Sequence, residues 1–300
     1  MSEVVTTPIE VSEYFEKRST LIKSIEANEM TFSFSSFSKF MDSPRHFLEY
    51  KLEERKPTAA MLKGEIGHCL VFEPDEFENR FEVKNIHEPS TELSTDFCNF
   101  IISGMDCFAA FEAAGYKRGN AEETQAKYQD YINMMLGLGD KRIITEKSLK
   151  QCEVIKNSVN FNDASKYVLN RITETEKGVE WEMEGLKWNG RIDGKGDRIK
   201  CDLKIVADAD PRKMKYKIRD MKYDVQAALY NIAIDPTDDY FIIAADYNGH
   251  VSVIQITKEA LNAARERIEE SMLKLKQCIF LNKWDCSYDY FGEQSGIYVF

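Results

Sequence analysis

The residues of this chain best suited to chemistry are carboxylates and a lysine spaced with period two between positions 178 and 206. Three runs there alternate polar and apolar residues, the signature of strands. In the first, Val179, Trp181 and Met183 oppose Glu180, Glu182 and Glu184. In the second, Leu186, Trp188 and Ile192 oppose Lys187, Asn189, Arg191 and Asp193. In the third, Ile199, Cys201, Leu203 and Ile205 go inward, while Lys200, Asp202 and Lys204 go outward. Gly185, and then Gly194 with Gly196, break the runs into an antiparallel meander. Its polar face gathers Glu180, Asp193, Asp202 and Lys204. Converging carboxylates repel one another unless a cation neutralises them, and oxygen ligands suit a hard ion such as Mg²⁺. Lys204 lies on the same face as Asp202 and can orient a water held by that ion, the apparatus for hydrolysing a phosphodiester. The competing reading is a solvated strand face with ordinary surface charges, common on half-buried strands.

The elements around the meander must position this set. Val225, Ala228, Leu229 and Ile232 recur at helical spacing, which predicts an amphipathic helix from Tyr223 to Ile234, ended by Asp235-Pro236. Gln226 and Tyr230, four apart, share one flank of it. Upstream, Thr58 is a good N-cap for a helix over Ala59–Phe72 with Leu62, Ile66, Cys69 and Leu70 on one apolar face and Met61 and Phe72 on another. A helix apolar on most sides is expected to be buried. It carries Gly64 and His68 on one flank, and a lone histidine in such a helix is ordinarily a satisfied core residue.

Asp193, Asp202-Leu203-Lys204 and Gln226-x-x-x-Tyr230 together resemble the PD-(D/E)XK nuclease superfamily in its RecB-like branch. The longer pattern Asp202-Leu203-Lys204, Asp208-Ala209, Tyr223-x-x-Gln226-Ala227-Ala228-x-Tyr230 is most similar to RecE-type phage exonucleases (exonuclease VIII). So is Thr58 through Gly64-x-x-x-His68, followed by Glu73-Pro74-x-x-Phe77. Two departures stand out: Ile205 where the family usually has Thr or Ser, and Ile192 where the superfamily name places Pro. The resemblance implies an α/β fold with a restriction-endonuclease-like core, a central mixed sheet flanked by helices, and helical N-terminal elaborations. It implies metal-dependent exonucleolytic hydrolysis of linear duplex DNA, 5′ to 3′, in phage recombination within a bacterial cytoplasm, beside a single-strand annealing protein and in a ring-shaped homo-oligomer. Mg²⁺ is the expected ion, with Mn²⁺ as a substitute. Asp193, Asp202, the Leu203 carbonyl and His68 are the implied metal ligands, with Gly64 letting the His68 helix approach the sheet. Lys204 positions the water, Glu180 or Glu182 completes the acidic set, and Gln226 and Tyr230 hold the scissile strand or brace Lys204. The runner-up is a non-catalytic DNA-binding or partner-regulating protein on the same fold, which has no reason to keep the lysine.

Composition sets further bounds. Three hundred residues at 43% hydrophobic can bury a full core, read here as an N-terminal arm over 1–30 followed by one nuclease domain over 31–300. The N-terminus lacks a signal pattern and no run is long enough to span a membrane. Seven scattered cysteines with no Cys-x-x-Cys pair read as reduced thiols of a cytosolic protein and argue against an iron–sulfur cluster. The net charge of −11 opposes DNA binding. Only locally is it answered: Arg212, Lys213, Lys215, Lys217, Arg219 and Lys222 face Asp220 alone in the stretch 211–222 and are the expected DNA contacts. His87, beside Glu88-Pro89, reads as surface loop. Helices are expected over Glu122–Leu136, Ser148–Val159 and Glu259–Gln277, and Asn248-Gly249 predicts a type I′ hairpin. The aromatic tail from Trp284 to Phe300 reads as packing or an oligomer contact.

Overall fold

The computed structural model describes residues 11–54 and 56–287. Residues 1–10 of the expected arm and most of the aromatic tail, 288–300, lie outside the described residues. The chain divides into two compact units: Met1–Glu73 with Glu153–Phe300, and Pro74–Cys152 between them.

The first unit opens with α1 (Val11–Glu26), β1 (Thr31–Phe32), α2 (Phe34–Asp42), α3 (Pro44–Leu52) and α4 (Ala59–Phe72). Capping fixes where these helices begin. Ser33 forms a capping box with Ser36, Ser43 caps α3 with Pro44 at its start, and Thr58 accepts from the Met61 amide at 3.1 Å. Ile22 and Ile25 of α1 reach the same core as α2 and α3, where Phe32 and Phe37 pack on Trp188, Phe40 packs on Phe37 and Phe47, and Trp284 lies 5.7 Å from Phe47. α4 is not buried throughout: Ile66, Cys69 and Leu70 are inside, but Met61 in its first turn is 55% exposed.

The inserted unit contains α5 (Phe77–Arg80), β2 (Phe81–Lys84), α6 (Glu92–Ile102), α7 (Cys107–Ala113), α8 (Ala121–Gly137) and β3 (Arg142–Thr145). β2 and β3 pair in parallel, and Phe97, Cys98, Ala110, Tyr128 and Ile132 form its own small core. His87 is exposed and its ring stacks on Tyr128.

The chain then returns to the first unit through α9 (Glu146–Phe161) and α10 (Asp163–Leu169). The meander follows: β4 (Ile172–Met183), β5 (Leu186–Gly196) and β6 (Ile199–Val206), each pair antiparallel. After α11 (Pro211–Asp220) and α12 (Tyr223–Ala233), β7 (Asp239–Asp246) joins β6 in parallel, β8 (Val251–Ile256) joins β7 antiparallel, and α13 (Lys258–Leu281) closes the unit. The resulting sheet is mixed, ordered β1-β5-β6-β7-β8 with β4 on the free edge of β5. Among the described residues no helix is long and apolar enough to cross a membrane. All seven cysteines are free thiols.

The polar side of β6 is not a solvated face. Ile199, Cys201 and Leu203 pack with Ile155, Val159 and Val168 of α9 and α10. On the opposite side α12 covers the strand, so Lys200 has no exposed surface at all. Its Nζ lies 2.8 Å from Asp238 Oδ2 and donates to Asn231 Oδ1 at 3.0 Å and the Asp235 carbonyl at 2.9 Å. Burial pulls the Lys200 pKa down, which is why three oxygens must gather around its ammonium.

The β7–β8 connection also differs from its expected form. Gly249 alone has positive φ, at 88°, and its amide donates to the Asp246 carbonyl at 3.1 Å. The Asp246 amide donates to the His250 carbonyl, so the loop has three residues, the arrangement in which a turn is followed by one left-handed glycine. Asp246 is the reason: its buried carboxylate accepts from the amides of Asn248 at 2.9 Å, His250 at 3.1 Å and Ala209 at 3.3 Å. Burial alone raises this carboxyl, but the hydrogen bonds from His250, Ala209 and Asn248 outweigh it and hold the pKa below the ordinary range. Its contribution to stability is therefore present above the ordinary carboxylate pKa and is lost as pH falls through the lowered one. Asp246→Ala is expected to cost about 3 kcal/mol by stranding three amides. Urea melts check this, and a loss under about 1 kcal/mol sinks the assignment.

Candidate active site

The site begins where two strands part. β5 and β6 pair only at Gly194↔Cys201, Lys195↔Lys200 and Gly196↔Ile199. One residue further on, Asp193 and Asp202 stand at the opening. The Leu203 amide, which the ladder no longer serves on that side, donates instead to Asp193 Oδ2 at 2.7 Å. Both carboxylates are nearly buried, with side chains 11% and 4% exposed.

Two helices complete the site. α4 lies flush on β6 at Gly67, where a Cβ would stand 2.2 Å from Ile205 Cδ1. Gly64, expected to give this approach, has nothing within 4 Å of the same position. The departure at Ile205 is thus matched by a glycine one turn on, and His68 follows directly. Its Nδ1 is 3.2 Å from Asp193 Oδ2 and 3.8 Å from Glu176 Oε1. From the other side α12 brings Gln226, whose Oε1 accepts from Lys204 Nζ at 2.9 Å, while Lys204 Nζ lies 2.7 Å from Asp202 Oδ2. The Tyr223 ring packs 4.6 Å from that ammonium. Tyr230 is bonded to the Gln226 side chain and the Arg191 backbone, and its ring lies over Gly190, where a Cβ would meet it at 2.5 Å.

Glu176 is the acidic partner that alternation did not find. It lies opposite Asp193 between the pairs Thr175↔Gly194 and Lys177↔Ile192, with left-handed backbone at φ 48°. That conformation is uncommon for a residue other than glycine and marks a constrained point. Its side chain is 12% exposed and sits 3.7 Å from Arg191. Glu180 is not brought to the cluster. It is exposed, pairs with Asn189, and lies four residues along β4, about 13 Å at the strand rise of ~3.3 Å per residue. Glu182 lies further still, opposite Lys187. Glu180 instead lines a 660 Å³ groove with Ser33, Ser35, Arg191, Gln226 and Tyr230.

Charges in the cluster are matched internally. Burial pulls the His68 pKa down, but Asp193, Glu176 and Asp202 outweigh it and the imidazole is raised to about 9. Burial pushes the Asp193 carboxyl up to about 7 against the pull of His68 and Lys204. Lys204 is raised despite burial, because Asp202 and Asp193 hold its charge. His68 thus lies between the Asp193 and Glu176 carboxyl groups, which favour positive charge on its imidazole. The donor set fits a divalent ion: His68, Glu176 and Asp193 each offer one ligand atom within 4.8 Å of the others. Asp202 is at their side, and carboxylates with one imidazole suit Mg²⁺ or Mn²⁺.

The basic segment is less free than its sequence. Arg212 pairs with Asp210 at 2.8 Å, Lys213 with Asp208, and Lys222 with Asp42 at 2.7 Å. Lys215, Lys217 and Arg219 form no ion pair among the described residues. All but Lys222 lie on α11, whose inner side buries Met214 and Ile218.

The model of a family described as a PDDEXK-like domain of unknown function matches residues 33–287. Among curated proteins nothing matches. Solved structures give low likeness: a putative exonuclease from Eubacterium rectale at 13% identity and TM-score 0.45, over 94% of this chain and 89% of that one. A phage related exonuclease from Haemophilus somnus 129PT follows at 13% identity and TM-score 0.32, over 66% and 98%.

Proposed function

This chain belongs to the family of PDDEXK-like domains of unknown function, and we propose that it is a divalent-metal-dependent exonuclease that hydrolyses linear duplex DNA. The observation that supports this reading best is Lys204, a half-buried ammonium held between Asp202 and Gln226 at the point where β5 and β6 part. A lysine kept only for stability does not need a glutamine from a separate element, α12, to aim it.

In this reading His68, Glu176, Asp193 and Asp202 hold Mg²⁺, or Mn²⁺ in its place, with the Leu203 carbonyl as a further ligand. A bound ion would supply charge neutralisation at the phosphate and a water of lowered pKa. Lys204 orients that water and balances negative charge as it develops. Gln226 fixes the Lys204 ammonium, and Tyr230, braced on Gly190, lines the groove with Arg191 to hold the strand beside the opening. The motif pattern favours 5′ to 3′ digestion of duplex in phage-type recombination, in a ring and beside an annealing protein.

The deciding assay is end-labelled linear duplex with Mg²⁺, scored for mononucleotides from each end. Release of 5′ label first, abolished by chelation, is expected. A protein that binds the duplex yet is inert with Mg²⁺ and Mn²⁺ alike refutes catalysis and leaves the non-catalytic binder.

A further inference from the structure

We propose that the outward face of α11 is a stacking platform for an unpaired nucleic-acid strand, with Tyr216 as the base-contacting residue; this rests on the nuclease reading for its substrate class. Met214 and Ile218, four apart, turn inward. At 100° per residue Tyr216 then points directly away from the core, and it is 64% exposed. Among the described residues its ring joins no hydrophobic core. Its surroundings are cationic: Arg212 and Arg219, four before and three after, lie on one flank, and Lys215 Nζ sits 4.8 Å from the ring centroid. Lys213 and Asp220 lie on the other flank. Lys215 and Arg219 have no carboxylate to neutralise them among the described residues, so the face offers free cations to phosphates around one open ring.

The helix is anchored at both ends, close in sequence to Lys204 at one and to Tyr223 at the other. It leaves β6 shortly after Lys204, with the Ala209 amide and carbonyl pinned to Asp246 and Ser252. It ends at a corner fixed by the Lys222–Asp42 ion pair, one residue before Tyr223, whose ring touches Lys204. Cations that track a backbone together with a ring that accepts any base are the elements of sequence-tolerant single-strand binding. A duplex keeps its bases stacked inside and offers nothing to Tyr216, so the platform distinguishes the strand left after digestion from the duplex ahead.

The test is fluorescence anisotropy with a labelled oligothymidylate and with a blunt duplex, in Ca²⁺ so that cleavage does not intrude, over a series of salt concentrations. Tyr216→Ala is expected to weaken single-strand binding about 5- to 150-fold, the worth of one stacked base. Tyr216→Trp restores it, duplex binding is unchanged, and the salt slope stays the same because no charge is removed. Unaltered single-strand affinity in Tyr216→Ala, or equal loss on both substrates, overturns the platform while leaving the nuclease reading intact. A wild-type chain that binds neither substrate overturns both, and wild-type binding without Mg²⁺-dependent cleavage overturns the nuclease reading alone.

Discussion

Asp202→Asn and Asp193→Asn are each expected to lower metal-dependent cleavage by more than about 100-fold, since even residues that only orient metal ligands cost 10–100-fold when changed. The fold should survive. Asparagine keeps an oxygen that can accept the Leu203 amide at position 193. Simple repulsion between carboxylates predicts that either change raises the melting temperature, but the structure predicts otherwise. Each aspartate already has a cation, His68 for Asp193 and Lys204 for Asp202. Removing one charge strands the partner in a buried setting, so the melting temperature is expected to fall modestly, most for Asp202→Asn. Isothermal titration with Mn²⁺ and a thermal melt on the same samples separate the two effects. Either variant retaining more than about a tenth of wild-type turnover refutes the ligand assignment.

Lys204→Ala is expected to cut turnover by about 10²–10⁴-fold, the range for a positioned group acting on a reacting proton or water. Its metal binding should behave differently from the aspartate variants. Without the ammonium, Asp202 is left with no cation 2.7 Å away, so the site becomes more negative and Mn²⁺ affinity is not weakened. Lys204→Arg is not expected to rescue the rate, because a planar fork cannot place a single charge between the Asp202 oxygen and Gln226 Oε1. Single-turnover cleavage at saturating metal is the measurement. A Lys204→Ala enzyme whose rate recovers fully as Mn²⁺ is raised would show that the lysine only helps to load the ion.

Several of these positions are legible in the sequence because their geometry is local. Asp202 and Lys204 are two apart on one strand, Gln226 and Tyr230 four apart on one helix, and regular periodicity places each pair. Glu176 escaped because it sits on a stretch of β4 with no alternation and with left-handed backbone. Glu180, three strictly alternating residues before Met183, looks better and is too far along the strand. Lys200 looks solvent-facing for a related reason: alternation distinguishes the two faces of a strand but not whether a helix covers both. The basic stretch 211–222 overstates its charge because Asp208 and Asp210 lie just outside it and Asp42 lies far away in sequence. Contacts such as Gly67 against Ile205 depend on how α4 lands on the sheet, which no spacing rule conveys.

The position of the inserted unit bears on when activity can arise. His68 precedes Pro74–Cys152 and every other member of the cluster follows it. During synthesis the histidine helix and the whole insertion emerge before the first residue of β4, so a chain that stops short of β4 holds none of the carboxylates that face His68. Joining α4 to β5 also closes a long loop, whose entropic cost grows only slowly with length. The insertion shortens that loop in effect, because its own core of Phe97, Tyr128 and Ile132 can form from contacts within it. Late, non-local assembly of this kind is slow compared with helix formation. On the proposed reading, hydrolytic capacity therefore waits on contacts between segments far apart in sequence, and opening the sheet is expected to abolish it.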